Sequence, residues 1–220
     1  MSLLQLLFPG LSVKLFNYDI PYLDNQEVPW KILDPKNKNS LINQIISLNR
    51  KFEINYQKMK NVSLDFANGP IHIHPSAMIS EYVRIEGPCY VGRNAKIRHS
   101  AYLRGGSWIC ENSLVGHSSE IKNSILLPGS KAPHFNYIGD SILGFDVNIG
   151  AGVKLSNVRN DKREIMVTLK EGERVYSGLR KFGALVGDAA GLGCNVVTNP
   201  GTIIQSKVMI GPNETLSGWN

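Results

Sequence analysis

An aliphatic residue recurs at every sixth position between residues 73 and 127, and this period constrains the fold more than any other feature of the chain. The positions are Ile73, Ile79, Ile85, Val91, Ile97, Leu103, Ile109, Val115, Ile121 and Leu127. A small or slim residue follows most of them four places later: Ala77, Val83, Cys89, Ala95, Ala101, Ser107, Ser113 and Ser119. A hexapeptide period is typical of a parallel β-helix, in which three hexads form one triangular coil of about eighteen residues around an aliphatic interior. So long a run in phase disfavours both chance and an ordinary β-sandwich.

The period is interrupted twice. It stalls between Leu127 and Leu143 and stops again after Leu155. Residues 157–183 contain no hexads, and IMVTL followed by EGERV predicts a hairpin or an excursion that leaves the coils and returns. The step of six then resumes at Val186, Leu192, Thr198, Ile204, Ile210 and Leu216. We therefore predict a mainly β chain whose residues 67–220 form one β-helical domain with a loop excursion at 157–183.

Residues 1–66 lack the period and are interpreted as a separate N-terminal segment. Residues 13–16 favour a short strand. Behind Ser40, a plausible N-cap, apolar residues stand near helical spacing at Leu41, Ile45, Leu48 and Phe52. We predict one amphipathic helix over about 40–52. Packing against the first coils or a neighbouring subunit is favoured over a helix that is reserved for a separate partner.

The composition indicates which partners and which compartment to expect. The chain of 220 residues carries 24 Lys and Arg against 18 Asp and Glu, a net charge of +6. A modest positive excess favours anionic small ligands, and the scattered basic residues disfavour nucleic acid. Cys89, Cys110 and Cys194 have no CxxC spacing, which predicts a reducing compartment without disulfides. The apolar start is too short for a signal peptide and no run approaches membrane-spanning length, so we expect a cytoplasmic protein.

The first interruption of the period coincides with a group of chemically capable residues. Residues 129–152 read GSKAPHFNYIGDSILGFDVNIGAG. His134 has Lys131 three residues before it and Tyr137 three residues after it. On its own, His134 would be interpreted as a structural histidine in a distorted corner of the β-helix, and Tyr137 as a packing residue. The combination with the Gly-Asp turn that follows favours a catalytic site instead.

The run KAPHFNYIGDSILGFDVNIGAG resembles the acetyltransferase domain of the bifunctional glucosamine-1-phosphate acetyltransferase/N-acetylglucosamine-1-phosphate uridylyltransferase family. That motif reads Lys-Ala-x-His-x-x-Tyr-x-Gly-Asp, followed by Val-Asn-x-Gly-Ala-Gly. The resemblance covers roughly residues 70 to 220. It implies a left-handed β-helix, a homotrimer, acetyl-CoA as the donor and an amino sugar 1-phosphate as the acceptor.

The resemblance also implies a role for individual residues. His134 takes the position of the general base, and the sugar phosphate is bound by Tyr137, Asn148, Arg104 and Lys122. The backbone at Ala151 and Cys194 corresponds to positions that meet the pantetheine arm of the cofactor.

Two further positions are assigned to the substrate. Asn157 falls where the family has an asparagine from a neighbouring subunit, and Arg163 falls where it often has a lysine. The tyrosine that commonly follows the asparagine is Val158 here, which is a departure from the pattern.

Arg104 and Lys122 are eighteen residues apart, which predicts equivalent outward positions on successive coils, about 5 Å from each other. Neither has an acidic residue at the matching position of its own coil, so we expect two unneutralised cations that bind one phosphate dianion. The alternative is a pair of solvated surface charges. Cys194 has no evident activating base, which disfavours a nucleophilic role.

The proposed chemistry also follows from the residue types. Acetyl transfer to an amine needs the neutral amine, and histidine is the side chain that takes up protons near neutral pH. Backbone N–H groups of Gly-rich turns such as IGAG can stabilise an oxyanion on the thioester carbonyl. His99 and His117 are also eighteen residues apart and could, with His134, form a zinc site. His72 and His74 are closely spaced but lie at the first turn of the β-helix, well before this cluster, and no such pair occurs at the cluster itself, so we expect no metal.

Three functions remain open on the sequence alone. The first is an acetyl-CoA-dependent N-acetyltransferase acting on an amino sugar 1-phosphate. The second is an acyltransferase acting on a nucleotide-linked amino sugar, and the third is a non-catalytic β-helix that binds a sugar nucleotide. Residues 1–66 are too short for the nucleotidyltransferase domain of the bifunctional relatives and lack its Gly-rich, Lys-containing loop, so we expect no uridylyltransferase activity. The segment VPWKIL resembles the linker between the two domains, and residues 1–66 are interpreted as such a linker or remnant.

Overall fold

The computed structural model describes residues 1–14, 19–48 and 59–220. Successive strands lie in three parallel sheets in turn, which forms the triangular β-helix that the hexapeptide period predicts. The first half of the strands are β1 (Ser63–Asp65), β2 (Ile71–Ile73), β3 (Met78–Ile79), β4 (Arg84–Glu86), β5 (Cys89–Val91), β6 (Lys96–Ile97), β7 (Tyr102–Leu103), β8 (Ser107–Ile109), β9 (Leu114–His117), β10 (Glu120–Lys122), β11 (Ile125–Leu126) and β12 (Lys131–His134). The second half are β13 (Tyr137–Gly139), β14 (Ile142–Leu143), β15 (Asn148–Ile149), β16 (Lys154–Leu155), β17 (Met166–Thr168), β18 (Arg174–Tyr176), β19 (Ala184–Val186), β20 (Gly191–Leu192), β21 (Val197–Thr198), β22 (Thr202–Ile204), β23 (Met209–Ile210) and β24 (Thr215–Leu216).

The three sheets are named here by their strands. Sheet A contains β1, β4, β7, β10, β13, β16, β21 and β24; sheet B contains β2, β5, β8, β11, β14, β19 and β22; sheet C contains β3, β6, β9, β12, β15, β20 and β23. The chain turns from A to B, from B to C and from C to A at three corners. Many corner residues have positive φ, the left-handed region that Asn, Asp and Gly occupy most readily. The recurring corners stack equivalent positions of successive coils into columns along the β-helix.

The interior of the β-helix is filled as the period predicts. The inward aliphatic side chains form one buried cluster, and Ile97, Leu103 and Ile121 have no exposed surface. The small residues between them prevent overpacking. The hydroxyls of Ser107, Ser113 and Ser119 donate to backbone carbonyls, at 3.0 Å from Ser113 to Leu127. Such a partner offsets the cost of burying a polar group, whereas the buried hydroxyls of Ser130 and Thr198 have none.

The interior period does not stall after residue 127, and Leu127 was wrongly predicted to point inward. Leu126 belongs to the interior cluster and Leu127 to the apolar layer outside sheet B. Strand register pairs Ile121 with Ile138, so the coil shortens here to seventeen residues. The residue is lost at the A–B corner, because one residue with positive φ, Asn123 (44°), makes the turn for which the preceding coil uses two glycines.

The N-terminal segment covers the outer face of sheet B. It contains α1 (Leu3–Leu7), α2 (Gly10–Lys14), a 3-10 helix (Pro29–Leu33) and α3 (Leu41–Ser47). Trp30 is buried in the resulting apolar layer against Phe182, with ring centroids 5.5 Å apart. The indole N–H of Trp30 donates to the Ser177 carbonyl at 3.1 Å. The apolar layer explains why the outward residues of sheet B are apolar, whereas those of sheet A are largely polar.

Two predictions for this segment are revised. The strand predicted for residues 13–16 is wrong where it is described, because α2 extends to Lys14; residues 15 and 16 lie outside the described residues. The predicted helix forms as α3, and the Ser40 hydroxyl caps it by accepting from the Asn43 backbone N–H at 3.2 Å. The helix ends at Ser47, and Phe52 lies outside the described residues.

Residues 157–183 leave the coils between β16 and β19. Within them β17 and β18 pair as an antiparallel hairpin. Ile165, Val167 and Leu179 anchor it in the apolar layer over sheet B. In the described part of the chain no helix is long and apolar enough to cross a membrane.

Candidate active site

His134 stands at the C–A corner, in a column whose members are linked by backbone hydrogen bonds from coil to coil. The Phe135 N–H donates to the His117 carbonyl at 3.0 Å, and the Gly152 N–H donates to the His134 carbonyl at 3.0 Å. The N–H of the residue after Cys194 reaches the Ala151 carbonyl at 2.8 Å. The column therefore runs His99, His117, His134, Ala151, Cys194. The predicted general base, His134, and the two predicted cofactor-binding residues, Ala151 and Cys194, thus lie along one edge of the β-helix.

In the coils on the N-terminal side of His134, hereafter below it, the column consists of aromatic side chains. The rings of His99 and His117 are 4.8 Å apart, as the eighteen-residue spacing predicts. Phe135 lies edge-on to His117 at 5.3 Å and 6.4 Å from His134. Across residues 1–14, 19–48 and 59–220, no three His, Cys, Asp or Glu side chains are grouped to hold a metal ion.

Above His134 the column narrows to small side chains. Ala151 is half-buried and Cys194 is an exposed free thiol. The residues on either side of Ala151 are Gly150 and Gly152. This leaves the corner open on the C-terminal side of the imidazole, so that an extended ligand could lie along it.

On sheet A, next to this corner, a polar network surrounds a buried carboxylate. Asp140 is 3% exposed and makes the one-residue A–B turn with φ 47°. It accepts hydrogen bonds from Lys122 Nζ at 2.9 and 3.1 Å and from Asn123 Nδ2 at 2.8 Å. Asn157 Nδ2 donates to its second oxygen. The Tyr137 hydroxyl donates to Asn157 Oδ1 at 3.4 Å, so the network links Lys122 to Tyr137 through a single carboxylate.

The network corrects the prediction that Lys122 is an unneutralised cation. Its partner comes from the coil above, not from its own coil: Asp140 follows Gly139, which is in register with Lys122, and Lys122 Nζ reaches its carboxylate at 2.9 Å. The side chain of Asn157 is likewise engaged within its own chain and is only 8% exposed. Asp140 thus fixes the positions of two predicted substrate-binding side chains.

Arg104 was also wrongly predicted to lack an acidic partner. Its Nη1 donates to Glu120 Oε1 at 2.9 Å, and this hydrogen bond raises the pKa of the guanidinium. Glu120 lies one coil above and two residues back along the strand, within reach of a long arginine side chain. The pair is only partly buried, and a guanidinium has five N–H donors, so Arg104 can still bind an anion. Burial, and then the negative charges of Glu120 and Asp140, raise the pKa of Tyr137.

The remaining predicted site residues lie elsewhere. Asn148 is exposed on sheet C, in register with Lys131, and thus on the opposite side of the corner from Tyr137. Arg163 lies in the excursion, where its guanidinium pairs with Asp161 at 2.9 Å. The structure therefore brings together Arg104, Lys122, Tyr137 and Asn157 on sheet A, with His134 at its edge, but not Asn148 or Arg163.

Sequence reasoning missed three side chains that shape this site: Glu120, Asn123 and the role of Asp140. The two acids were missed because each lies one coil above its cation and not in the cation's own coil: Glu120 is in register with Tyr102, and Asp140 follows the residue in register with Lys122. The detectable signal is the pair of five-residue steps, from Ile121 to Leu126 and from Ile138 to Leu143. Each marks a corner turned by one residue of a type that tolerates positive φ.

No protein-family model matches the chain. Over 98 residues it is 42% identical to a bifunctional sugar-1-phosphate nucleotidylyltransferase/acetyltransferase from Sulfurisphaera tokodaii, an alignment that covers 44% of this chain and 24% of that protein. Over 95 residues it is 46% identical to a bifunctional protein GlmU from Methanococcus aeolicus, covering 43% and 23%. The crystal structure of a hexapeptide transferase family protein from Anaplasma phagocytophilum aligns with a TM-score of 0.35 at 18% identity, covering 72% of this chain and 80% of that one.

These relatives confirm the resemblance to the bifunctional acetyltransferase family over the aligned residues. The chain spans about a quarter of the length of the curated relatives it matches. The fold itself is that of the hexapeptide-repeat β-helix, as the three parallel sheets show.

We predict that Asp140→Asn destabilises the protein and disorders the site. The substitution leaves Lys122 without its counter-charge and turns an amide N–H₂ toward the donors of Asn123 and Asn157. Breaking a buried ion pair in this way costs about 3 kcal/mol. Chemical denaturation should show a lower free energy of unfolding at pH 7.

The matched control is Asp161→Asn. It too removes an ion-paired carboxylate, in this case one that contacts two cations. Asp161 is exposed between Arg159 and Arg163, and exposed ion pairs contribute little. Its unfolding midpoint should match that of the wild type. Equal stabilities of the two variants would show that the Asp140 network has no structural role.

Proposed function

We propose that the chain is a cytoplasmic N-acetyltransferase that moves an acetyl group from acetyl-CoA to the amino group of an amino sugar 1-phosphate. The observation that carries the proposal is the C–A corner. An exposed imidazole there has an anchored cationic and phenolic surface on one side and a corner of small side chains above it. The relative that is 42% identical to part of this chain is named as a bifunctional sugar-1-phosphate nucleotidylyltransferase/acetyltransferase, which supports the proposal.

The proposed reaction assigns one proton transfer to His134. The acceptor nitrogen forms a bond to the acetyl carbon, the thioester carbon–sulfur bond breaks, and sulfur leaves with the electron pair. The nitrogen then carries one proton too many, and the His134 imidazole accepts it. His134 is exposed and ends β12 directly at the corner, so both reactants can reach it.

The co-substrate supplies the activated acetyl group, and the corner above His134 fits a pantetheine arm. Ala151 and Cys194 offer small side chains in the same column as the imidazole. A residue with a large side chain at 151 would obstruct the path. We assign no nucleophilic role to Cys194.

The acceptor's phosphate is assigned to Arg104, with Lys122 and Tyr137 as the adjoining surface. Lys122 is already bonded to Asp140, so its contribution is a fixed positive charge, while Arg104 keeps free donor capacity. Asn148 and Arg163 lie away from this surface. They join the same site only if a second copy of the chain presents them, which supports a homotrimer whose sites lie between subunits.

The proposed trimer is tested by measuring the molar mass of the active protein in solution. Flat solenoid faces form little concavity alone, and cyclic association supplies the second wall of a small-molecule site. Light scattering combined with activity measurements on the same fractions should find three copies in the active species. A stable monomer with full activity would contradict the proposal.

His134→Ala should reduce turnover by about 10²–10⁴-fold, the usual contribution of a general base. The Michaelis constant for acetyl-CoA should change little, because the small-residue corner is unaltered. The residual rate should rise at high pH, where more of the acceptor amine is already neutral. His99→Ala, in the same column two coils away, is the matched control and should retain wild-type turnover. A His134 variant within a few-fold of the wild type would remove this residue from the mechanism.

Arg104→Ala should weaken the use of glucosamine 1-phosphate about 10- to 150-fold, since one charge-assisted contact is worth roughly 1.5–3 kcal/mol. Free glucosamine should be a poor substrate for the wild type, and the substitution should not slow its acetylation further. The control is Arg84→Ala, which removes an exposed arginine that is ion-paired with Asp65 and Glu86 on the same sheet. If Arg104→Ala slowed both acceptors by the same factor, the phosphate assignment would be wrong.

A further inference from the structure

Phe135, the residue after His134, has a backbone conformation that its side chain does not favour. It turns the C–A corner with φ 52°. Most equivalent positions of other coils hold small or short polar residues (Ser100, Ser118, Gly152, Asn195 and Asn213), and Tyr82 is the exception. A bulky residue in the left-handed region is strained by contacts of its Cβ with the backbone. The ring is 56% exposed, so burial does not offset this strain.

The ring is held over the coil below His134. It meets the His117 ring edge-on at 5.3 Å with an interplanar angle of 79°, and His117 in turn packs against His99 at 4.8 Å. Phe135 therefore leans away from the small side chains of Ala151 and Cys194. It lies on the side of His134 toward the coils that carry Arg104 and Lys122.

We propose that Phe135 is a specificity-determining residue that forms the apolar wall of the acceptor subsite, with its exposed face packed on the C–H face of the hexosamine ring. This inference rests on the proposed function and names the surface that recognises the sugar itself. The negative face of an aromatic ring attracts polarised C–H groups, and stacking adds to the area that is removed from water. Strain of this kind at a functional site persists where the side chain is needed there.

The test is Phe135→Asn, because asparagine tolerates the left-handed conformation and gives up the ring. Its melting temperature should rise by about 2–4 °C as the strain is relieved. The Michaelis constant for glucosamine 1-phosphate should rise about tenfold, while that for acetyl-CoA should stay within about twofold of the wild type. Phe135→Tyr keeps the ring and should keep the wild-type Michaelis constant.

The chain offers a matched control in Tyr82. It is an aromatic residue at the same corner position three coils below Phe135, with φ 62° and 60% exposure. Tyr82→Asn should give the same rise in melting temperature and leave both Michaelis constants unchanged, because about 14 Å of stacked coils separates it from Phe135.

Two results would overturn the inference while leaving the proposed function intact. One is a Phe135→Asn variant whose Michaelis constant for the acceptor equals that of the wild type. The other is a change in the oligomeric state of that variant, which would assign the ring to a contact between subunits. Calorimetric titration of each protein with glucosamine 1-phosphate gives a readout that is independent of turnover. Wild-type binding without turnover would refute the proposed acetyl transfer while the Phe135 comparison still held; no binding at all would refute both.

Discussion

The one-residue turn at the A–B corner is the constraint on which the candidate site depends. Asn123 and Asp140 each reverse the chain with φ near 45°, which shortens two coils by one residue. The shift places Asp140 over Asn123, one position past Lys122, where its carboxylate accepts hydrogen bonds from Lys122, Asn123 and Asn157. A carboxylate buried this deeply is stable only with several donors, and here it has four hydrogen bonds. The geometry of the candidate site is thus fixed by a turn, not by a loop.

The N-terminal segment supports this corner from the other side. The Leu33 carbonyl accepts the second hydrogen bond of the Asn123 amide at 3.0 Å, so the 3-10 helix that contains Trp30 is bonded directly to the site's network. The Trp30 indole reaches the excursion at Ser177. The segment therefore closes the apolar face of sheet B and also holds the turn that positions Asp140.

The two cations of sheet A, Lys122 and Arg104, differ in how exposed their ion pairs are. The Lys122 side chain is 20% exposed and is paired with a buried carboxylate, so its ammonium group mainly stabilises the network around Asp140. The Arg104–Glu120 pair is exposed enough for solvent and ligands to compete for the guanidinium. Two cations that are equivalent in a repeat pattern thus differ in their surroundings, because their partners differ in burial.

The sequence by itself determined the β-helix, the covering helix behind Ser40 and the stacking of His99 on His117. Each follows from a local periodicity that backbone geometry repeats without reference to distant residues. The sequence also singled out His134 as the candidate general base, because the motif that contains it is contiguous. Only the tertiary structure decided that Leu127 faces outward, that Glu120 and Asp140 neutralise the two cations, and that Asn148 and Arg163 lie apart from them. Leu127 faces outward because a corner made by a single residue with positive φ shifts the register of everything that follows. The other outcomes depend on contacts between neighbouring coils and on which sheet or excursion carries a residue, which a local period does not specify.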